Sequence, residues 1–355
     1  MRLSRRALLV AALAQAACTR GAPAPTEASP RVLNGAGATL PYPLYARWAA
    51  EYARVDPTVR INYQSVGSGA GMRQMADGVV DFGATDEPMS DEQLRSVRGS
   101  VVHVPTTVGA VALGYHLPGG GELRLTPELV ADLFLGRVAR WDDPRLRAEN
   151  PNRELPAEPI TIVHRADGSG TSATFTTYLS RNSEAWRQSV GAGTSPRFPA
   201  GVGAKGNEGV ASFVKSTPMS IGYMELAYAR RAGLPTALVR NRAGVFVAPS
   251  VASIDVAARS ALTRLPDDLR LSIVDAEAEG AYPIAALSYV LVRRAPEDHA
   301  RAETLSRFLW WAIHDGQRIA PELEYAPLPE ELVKRGERAL LGLGADGRPL
   351  PPAGG

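Results

Sequence analysis

Three short segments built almost entirely from Gly, Ala, Ser and Thr constrain this chain more than any other feature. They are Gly35-Ala36-Gly37-Ala38-Thr39, Gly67-Ser68-Gly69-Ala70-Gly71 and Asp167-Gly168-Ser169-Gly170-Thr171. Each follows a strand-like run and leads into residues with helical spacing. The first turn of a helix leaves backbone N–H groups unpaired and carries a partial positive charge, and glycine lets a guest approach the backbone. Any one such segment reads equally well as a helix cap. Three strand–loop–helix units together call for an α/β architecture, whose open sheets bind ligands beyond the carboxyl ends of their strands.

The patterns between these loops agree. Val59, Ile61 and Tyr63 alternate as a strand does. Leu44, Trp48 and Tyr52 recur every fourth residue, as do Phe175 and Leu179 with Tyr178 beside them, and Met72, Met75 and Val79 read as a further helix face. At 355 residues the chain exceeds the reach of a single core, so two domains are expected. The long apolar stretches Val101–Leu117 and Ile284–Val292 are candidate crossovers between them. They would divide the chain into one lobe of residues 32–107 plus 285–344 and a second, inserted lobe of residues 108–284.

Composition removes several classes. Lys plus Arg number 39 against 37 Asp plus Glu, a net charge of +2, which carries no signature of nucleic-acid binding. Cysteine occurs once, so neither an intrachain disulfide nor a multi-cysteine metal site is possible. Asp142-Asp143 before Pro144 reads as a helix cap rather than a metal site, and no metal or other cofactor is expected.

Arg2, Arg5 and Arg6 precede the apolar run Ala7–Ala14, the layout of an export signal over residues 1–17 with a twin-arginine-like start. Its apolar part falls well short of the roughly 20 residues that span a bilayer. Cys18 stands where a bacterial lipoprotein carries its lipid, with Ala14-Gln15-Ala16 as the alternative, ordinary cleavage site. Residues 18–31 then form a lipid-anchored, flexible linker, and residues 345–355, rich in Pro and Gly, a disordered tail. The mature chain is expected in the periplasm or on the outer face of the cell envelope.

Charged residues beside the loops narrow the guest. Arg165, four residues before Ser169, can offer a forked pair of donors to an anion, and Asp167 can cap the following helix or hold that guanidinium in place. Asp86 closes the strand-like Asp81-Phe82-Gly83-Ala84-Thr85 and can direct a carboxylate into the same cleft. A carboxylate facing an anion requires a proton on the guest. Hydrogen phosphate keeps one near neutral pH, whereas sulfate does not, so Asp86 would reject sulfate.

At these residues the sequence resembles the periplasmic phosphate-binding proteins of high-affinity phosphate ABC transporters. The resemblance rests on Gly35-Ala36-Gly37-Ala38-Thr39-Leu40-Pro41, Val66-Gly67-Ser68-Gly69-Ala70-Gly71, Asp81 to Asp86, and Leu135-Gly136-Arg137 leading to Trp141-Asp142-Asp143. It continues in Arg165-Ala166-Asp167-Gly168-Ser169-Gly170-Thr171-Ser172, Gly206-Asn207-Glu208-Gly209-Val210 and Ile221-Gly222-Tyr223, and covers about Leu33 to Leu341. It implies a two-lobed type II periplasmic-binding-protein fold, each lobe a mixed sheet flanked by helices, with inorganic phosphate in the interdomain cleft. It also implies a monomer that delivers phosphate to permease subunits in the inner membrane. Carried over residue by residue, Thr39 donates through hydroxyl and backbone, Leu40 through its N–H, and Ser68 through hydroxyl and backbone. Ser169, Gly170 and Thr171 form the facing helix start, Arg165 is the charged donor, Asp167 orients it, and Asp86 accepts the phosphate proton. Leu40 stands where that family often has Phe, and Gly69-Ala70 replaces the more usual Ser-Gly.

Two other classes compete. A serine or phosphate-ester hydrolase would use Ser169 as nucleophile, but the loop lacks the first glycine of a Gly-x-Ser-x-Gly elbow and the five histidines define no triad. A binding protein for another oxyanion, such as sulfate, molybdate or tungstate, would leave Asp86 without a purpose.

Overall fold

A computed structural model describes residues 30–343 apart from 120 and 296. The expected leader, Cys18, nearly all of the linker and the tail therefore lie outside the described residues. In chain order the elements are β1 (Arg31–Gly37), α1 (Tyr42–Val55), β2 (Val59–Ser65), α2 (Ser68–Ala76), β3 (Phe82–Thr85), α3 (Asp91–Ser96), β4 (Val101–His116), β5 (Arg124–Leu125), α4 (Pro127–Phe134) and α5 (Pro144–Glu149). There follow β6 (Thr161–Arg165), α6 (Gly170–Asn182), α7 (Glu184–Ser189), β7 (Val202–Ala204), α8 (Gly206–Ser216), β8 (Ser220–Glu225), α9 (Leu226–Ala232), β9 (Leu238–Arg240), β10 (Phe246–Val247), α10 (Val251–Ala261), β11 (Ala285–Arg293), α11 (His299–Ile313) and α12 (Glu330–Leu341).

Eight strands form one mixed sheet in the order β2-β1-β3-β11-β4-β8-β6-β7, with a small sheet β10-β9-β5 beside it. The sixteen-residue β4 holds it together. Its first part, Val101–Ala110, pairs antiparallel with β11, and its second, Val111–His116, pairs antiparallel with β8. β1 and β3 run in the sense of β4, while β8 and β6 run against it. The carboxyl ends of the two sets therefore point at each other across the middle of β4, which is where two halves of an α/β sheet can share one guest.

Side-chain packing explains why these residues take these forms. The burial string of β4 is nearly continuous, as required of a strand covered on both faces. Leu44, Trp48 and Tyr52 bury one face of α1, and Trp48 satisfies its ring N–H on the Gly316 carbonyl at 2.8 Å. Phe175, Tyr178 and Leu179 do the same for α6. Asp143 caps α5 by accepting from the N–H of Arg145 at 2.9 Å.

Three expectations need correction. Val79 is not on the α2 face: the helix ends at Ala76, Gly78 turns the chain with φ of 73°, and Val79 is 69% exposed. Gly35 to Gly37 belong to β1, where they pair with β2 and β3, so the first small-residue segment is strand up to Gly37 and loop only beyond it. Asp167 does not cap α6; Ser169 does, its hydroxyl accepting from the N–H of Ser172 at 3.0 Å.

Candidate oxyanion-binding site

The turn leaving β1 carries Thr39 and Leu40, both buried. Two tyrosines from distant parts of the chain pin it: Tyr228 donates to the Thr39 carbonyl at 2.7 Å and Tyr325 to the Leu40 carbonyl at 2.6 Å. Among the described residues, the N–H groups of Thr39 and Leu40 find no backbone acceptor. Buried amides in that condition are rare and point to a partner from outside the fold.

Ser68 opens α2. That helix lies hard against β1, because a Cβ on Gly71 would stand 2.3 Å from Gly37 Cα and 2.5 Å from the Ala36 carbonyl; no other residue fits there. Ser68 is fully buried, and its hydroxyl accepts from the N–H of Gly170 at 3.1 Å and, more weakly, from that of Asp86 at 3.4 Å.

Asp86 follows the last residue of β3 and is 4% exposed. Its Oδ1 accepts from Ser288 Oγ at 2.6 Å, while its buried Oδ2 has no partner among the described residues. Burial pushes the carboxyl up to about 7, against the opposing pull of Ser288 and the Arg165 charge.

Arg165 ends β6. Its backbone N–H donates to the Tyr223 hydroxyl at 3.1 Å, and Tyr223 pairs with Ser172 Oγ at 2.7 Å. The guanidinium forks onto Asp167, with Nε 2.8 Å from Oδ1 and Nη2 on Oδ2, while the buried Nη1 has no partner among the described residues. Burial alone would raise the Asp167 carboxyl, but the Arg165 fork and the N–H of Gly206 at 3.0 Å hold it below the ordinary carboxylate range.

The facing helix start is that of α6. Gly170 stands against the other half so closely that a Cβ there would lie 2.5 Å from Ser68 Oγ and 2.8 Å from Asp86 Oδ2. The Gly69 N–H also donates to the Gly168 carbonyl at 3.0 Å, so the two loops touch. Thr171 is fully buried and meets Thr39 through a third residue, Asn207 on α8. The Asn207 amide donates to Thr39 Oγ1 at 2.8 Å and to Thr171 Oγ1 at 3.1 Å.

The structure thus gathers Thr39, Ser68, Asp86, Arg165, Asp167, Ser169, Gly170 and Thr171 around one junction between the halves, with Leu40 contributing backbone to it. Four polar neighbours lie beyond the residues to which the sequence points: Asn207, Ser288, Tyr223 and Glu225. Asn207 and Tyr223 lie inside motifs that carry the family resemblance. Ser288 could have been noticed as a hydroxyl within the otherwise apolar run of β11. Glu225 is wholly buried at the end of β8, its Oε2 capping α9 through the Ala227 N–H at 2.7 Å, and desolvation holds it well above the usual carboxylate range.

A nucleophilic serine is not what this geometry provides. The Ser169 hydroxyl caps its own helix, and among the described residues no histidine bonds to it. His164 instead stacks on Phe198, with centroids 4.5 Å apart, and its Nδ1 lies 3.0 Å from the Arg165 carbonyl.

Comparison with known proteins gives a consistent picture. Residues 24–315 match the profile of the PBP superfamily domain. The phosphate-binding protein PstS of Xylella fastidiosa (strain 9a5c) is 42% identical over 305 residues, 85% of this chain and 83% of that protein. PstS of Haemophilus influenzae is 40% identical over 303 residues, covering 85% and 90%. Among solved structures, a DING protein superposes with a TM-score of 0.72 at 20% identity over 90% of this chain and all of that one. PfluDING, a high-affinity periplasmic phosphate-binding protein bound with phosphate, gives 0.69 at 19% identity over 88% and 99%. The structural likeness establishes the fold, which is that of the two-lobed type II binding proteins.

Proposed function

The chain belongs to the PstS family of phosphate-binding proteins within the PBP superfamily, and from that premise we propose that the junction between its halves captures hydrogen phosphate for an ABC transporter. The family is one of binding proteins, not of enzymes. One observation carries the assignment of the site. Besides Glu225 Oε1 at the end of β8, two buried atoms at the site lack partners among the described residues, the donor Arg165 Nη1 and the acceptor Asp86 Oδ2. A guest that satisfies both must present an oxygen acceptor and an O–H donor together. Hydrogen phosphate does so; sulfate near neutral pH offers acceptors alone.

In this reading the N–H groups of Thr39 and Leu40, the hydroxyls of Thr39, Ser68, Ser169 and Thr171, the N–H of Thr171 and the Arg165 guanidinium surround the anion, while the Gly170 N–H holds the Ser68 hydroxyl as an acceptor. Asp167 orients Arg165 and Asp86 takes the guest's hydrogen. The lobes would be residues 32–107 with 285–344, and 108–284, hinged where β4 changes partner from β11 to β8. No described helix is long and apolar enough to cross a membrane. An exported chain tethered through Cys18, acting as a monomer and handing phosphate to permease subunits in the membrane, fits the leader and the family.

Calorimetric titration with phosphate and with sulfate at pH 8, paralleled by tryptophan fluorescence, tests the reading. Phosphate is expected to bind and sulfate to give no heat; sulfate binding as tight as phosphate would overturn it.

A further inference from the structure

We propose that Asn207 is a positioning residue that aims the hydroxyl hydrogens of Thr39 and Thr171 at the bound anion. A threonine hydroxyl has one hydrogen to give and two lone pairs with which to accept, and its rotation follows whichever partner is nearest. Near a phosphate it helps only if its hydrogen points inward. Thr39 Oγ1 lies 2.8 Å from Asn207 Nδ2 and 3.4 Å from the Asn207 backbone N, and both of these groups are donors. Thr171 Oγ1 lies 3.1 Å from the same Nδ2. Each oxygen is therefore held as an acceptor, and its hydrogen is left for a partner elsewhere.

The amide can be read in only one direction. Asn207 Oδ1 accepts at 3.0 Å from the backbone N–H of Glu225, which can only donate, so the –NH₂ end must face the threonines. Asn207 is fully buried, in the first turn of α8, and its two threonines come from opposite halves of the molecule. One side chain thereby sets the hydroxyls of both walls, using both hydrogens of its –NH₂ group. Asn207 need not touch the anion to do this. The inference rests on the phosphate reading of the site.

Phosphate titrations of the full mature chain and its variants separate the possibilities. Asn207→Ala is expected to weaken phosphate binding about tenfold, from the loss of two aimed hydrogen bonds. Asn207→Asp keeps the shape and the Glu225 contact but turns the donor end into an acceptor that draws both hydroxyl hydrogens away from the guest, so it should weaken binding further than alanine does. In a Thr39→Val or Thr171→Val background the cost of Asn207→Ala should shrink, which a merely structural role would not produce; an undiminished cost in both backgrounds would overturn the proposal. Thermal unfolding of each variant reports whether the fold is intact. Wild-type affinity in both Asn207 variants would overturn this assignment alone, whereas absence of phosphate binding by the unaltered chain would overturn the reading of the site beneath it.

Discussion

The Ser68 hydroxyl accepts from the Gly170 N–H at 3.1 Å although the two residues are 102 positions apart and open helices on opposite halves of the molecule. Gly170 has no room for a side chain at that contact. Gly170→Ala should therefore prevent this approach while leaving each half intact. Overpacking of this kind costs about 1 to 3 kcal/mol, so phosphate affinity should fall roughly tenfold to a hundredfold by calorimetry, with the circular dichroism spectrum unchanged.

In the proposed site the Asp86 carboxyl should give selectivity a pH dependence. Held at about 7, it is ionised above that pH and acquires a hydrogen below it. A protonated Asp86 can donate to sulfate, so sulfate affinity should be absent at pH 8 and rise as the pH falls through 7. Asp86→Asn, which keeps a donor at every pH, should bind sulfate at pH 8. Sulfate titrations of the wild type across this range, with no rise on acidification, would remove Asp86 from the selectivity mechanism.

Stability of the unliganded chain should carry the same signature. The folded Asp86 keeps its proton up to about 7, whereas an unfolded aspartate releases it near 3.8, so the folded state holds more protons between those values. Its contribution to stability is then fullest below about 4 and declines as the pH rises to 7, by on the order of 4 kcal/mol. Urea unfolding of wild type and Asp86→Asn should give a stability difference that shifts in favour of the variant over that window and is flat above it. A difference independent of pH would show that Asp86 titrates normally.

Arg165 commits Nε and Nη2 to Asp167 and leaves Nη1, without a partner among the described residues, for the proposed guest. An ammonium cannot reproduce that fork. Arg165→Lys should weaken phosphate binding by at least about tenfold, the value of a lost charge-assisted hydrogen bond. Equal affinity by titration would mean that charge alone, without the fork, suffices.

Tyr228 ties α9 to the Thr39 carbonyl at 2.7 Å. Tyr228→Phe leaves that buried carbonyl with only the long bond from the Tyr42 N–H at 3.4 Å, at a cost of about 1 kcal/mol. Both the melting temperature and the phosphate affinity should drop, since the bond joins the two walls; an unchanged affinity would show that the Thr39 turn holds its place without it.

Much of this was legible in the sequence because it is local. The alternation in Val59, Ile61 and Tyr63 and the four-residue spacing of Leu44, Trp48 and Tyr52 record which face of one element is buried, and β2 and α1 follow directly. The small-residue loops could be recognised because close backbone approach demands them: a Cβ on Gly71 would lie 2.3 Å from Gly37 Cα, and one on Gly69 3.4 Å from Gly168 Cα. The helical spacing of Met72, Met75 and Val79 runs on past the end of α2, because periodicity cannot see the turn that follows Ala76. Asp167 was a plausible cap by spacing, but its carboxylate is drawn instead to Arg165 and Gly206, and Ser169 takes the cap. Asn207 and Ser288 stayed without roles because their partners lie far off in the chain, Thr39 at 168 positions and Asp86 at 202. Nothing in a single sequence records such pairings.

The unbroken passage of β4 from one set of neighbours to the other fixes something besides shape. At Ala110 the strand is still in step with β11, and at Val111 it is already in step with β8. Inserting or deleting a single residue between them would turn every later side chain of β4 to the opposite face of the sheet. The number of residues at this junction is thus as strictly specified as any contact to the guest, and variation in chain length among relatives should be confined to surface loops such as those flanking β5.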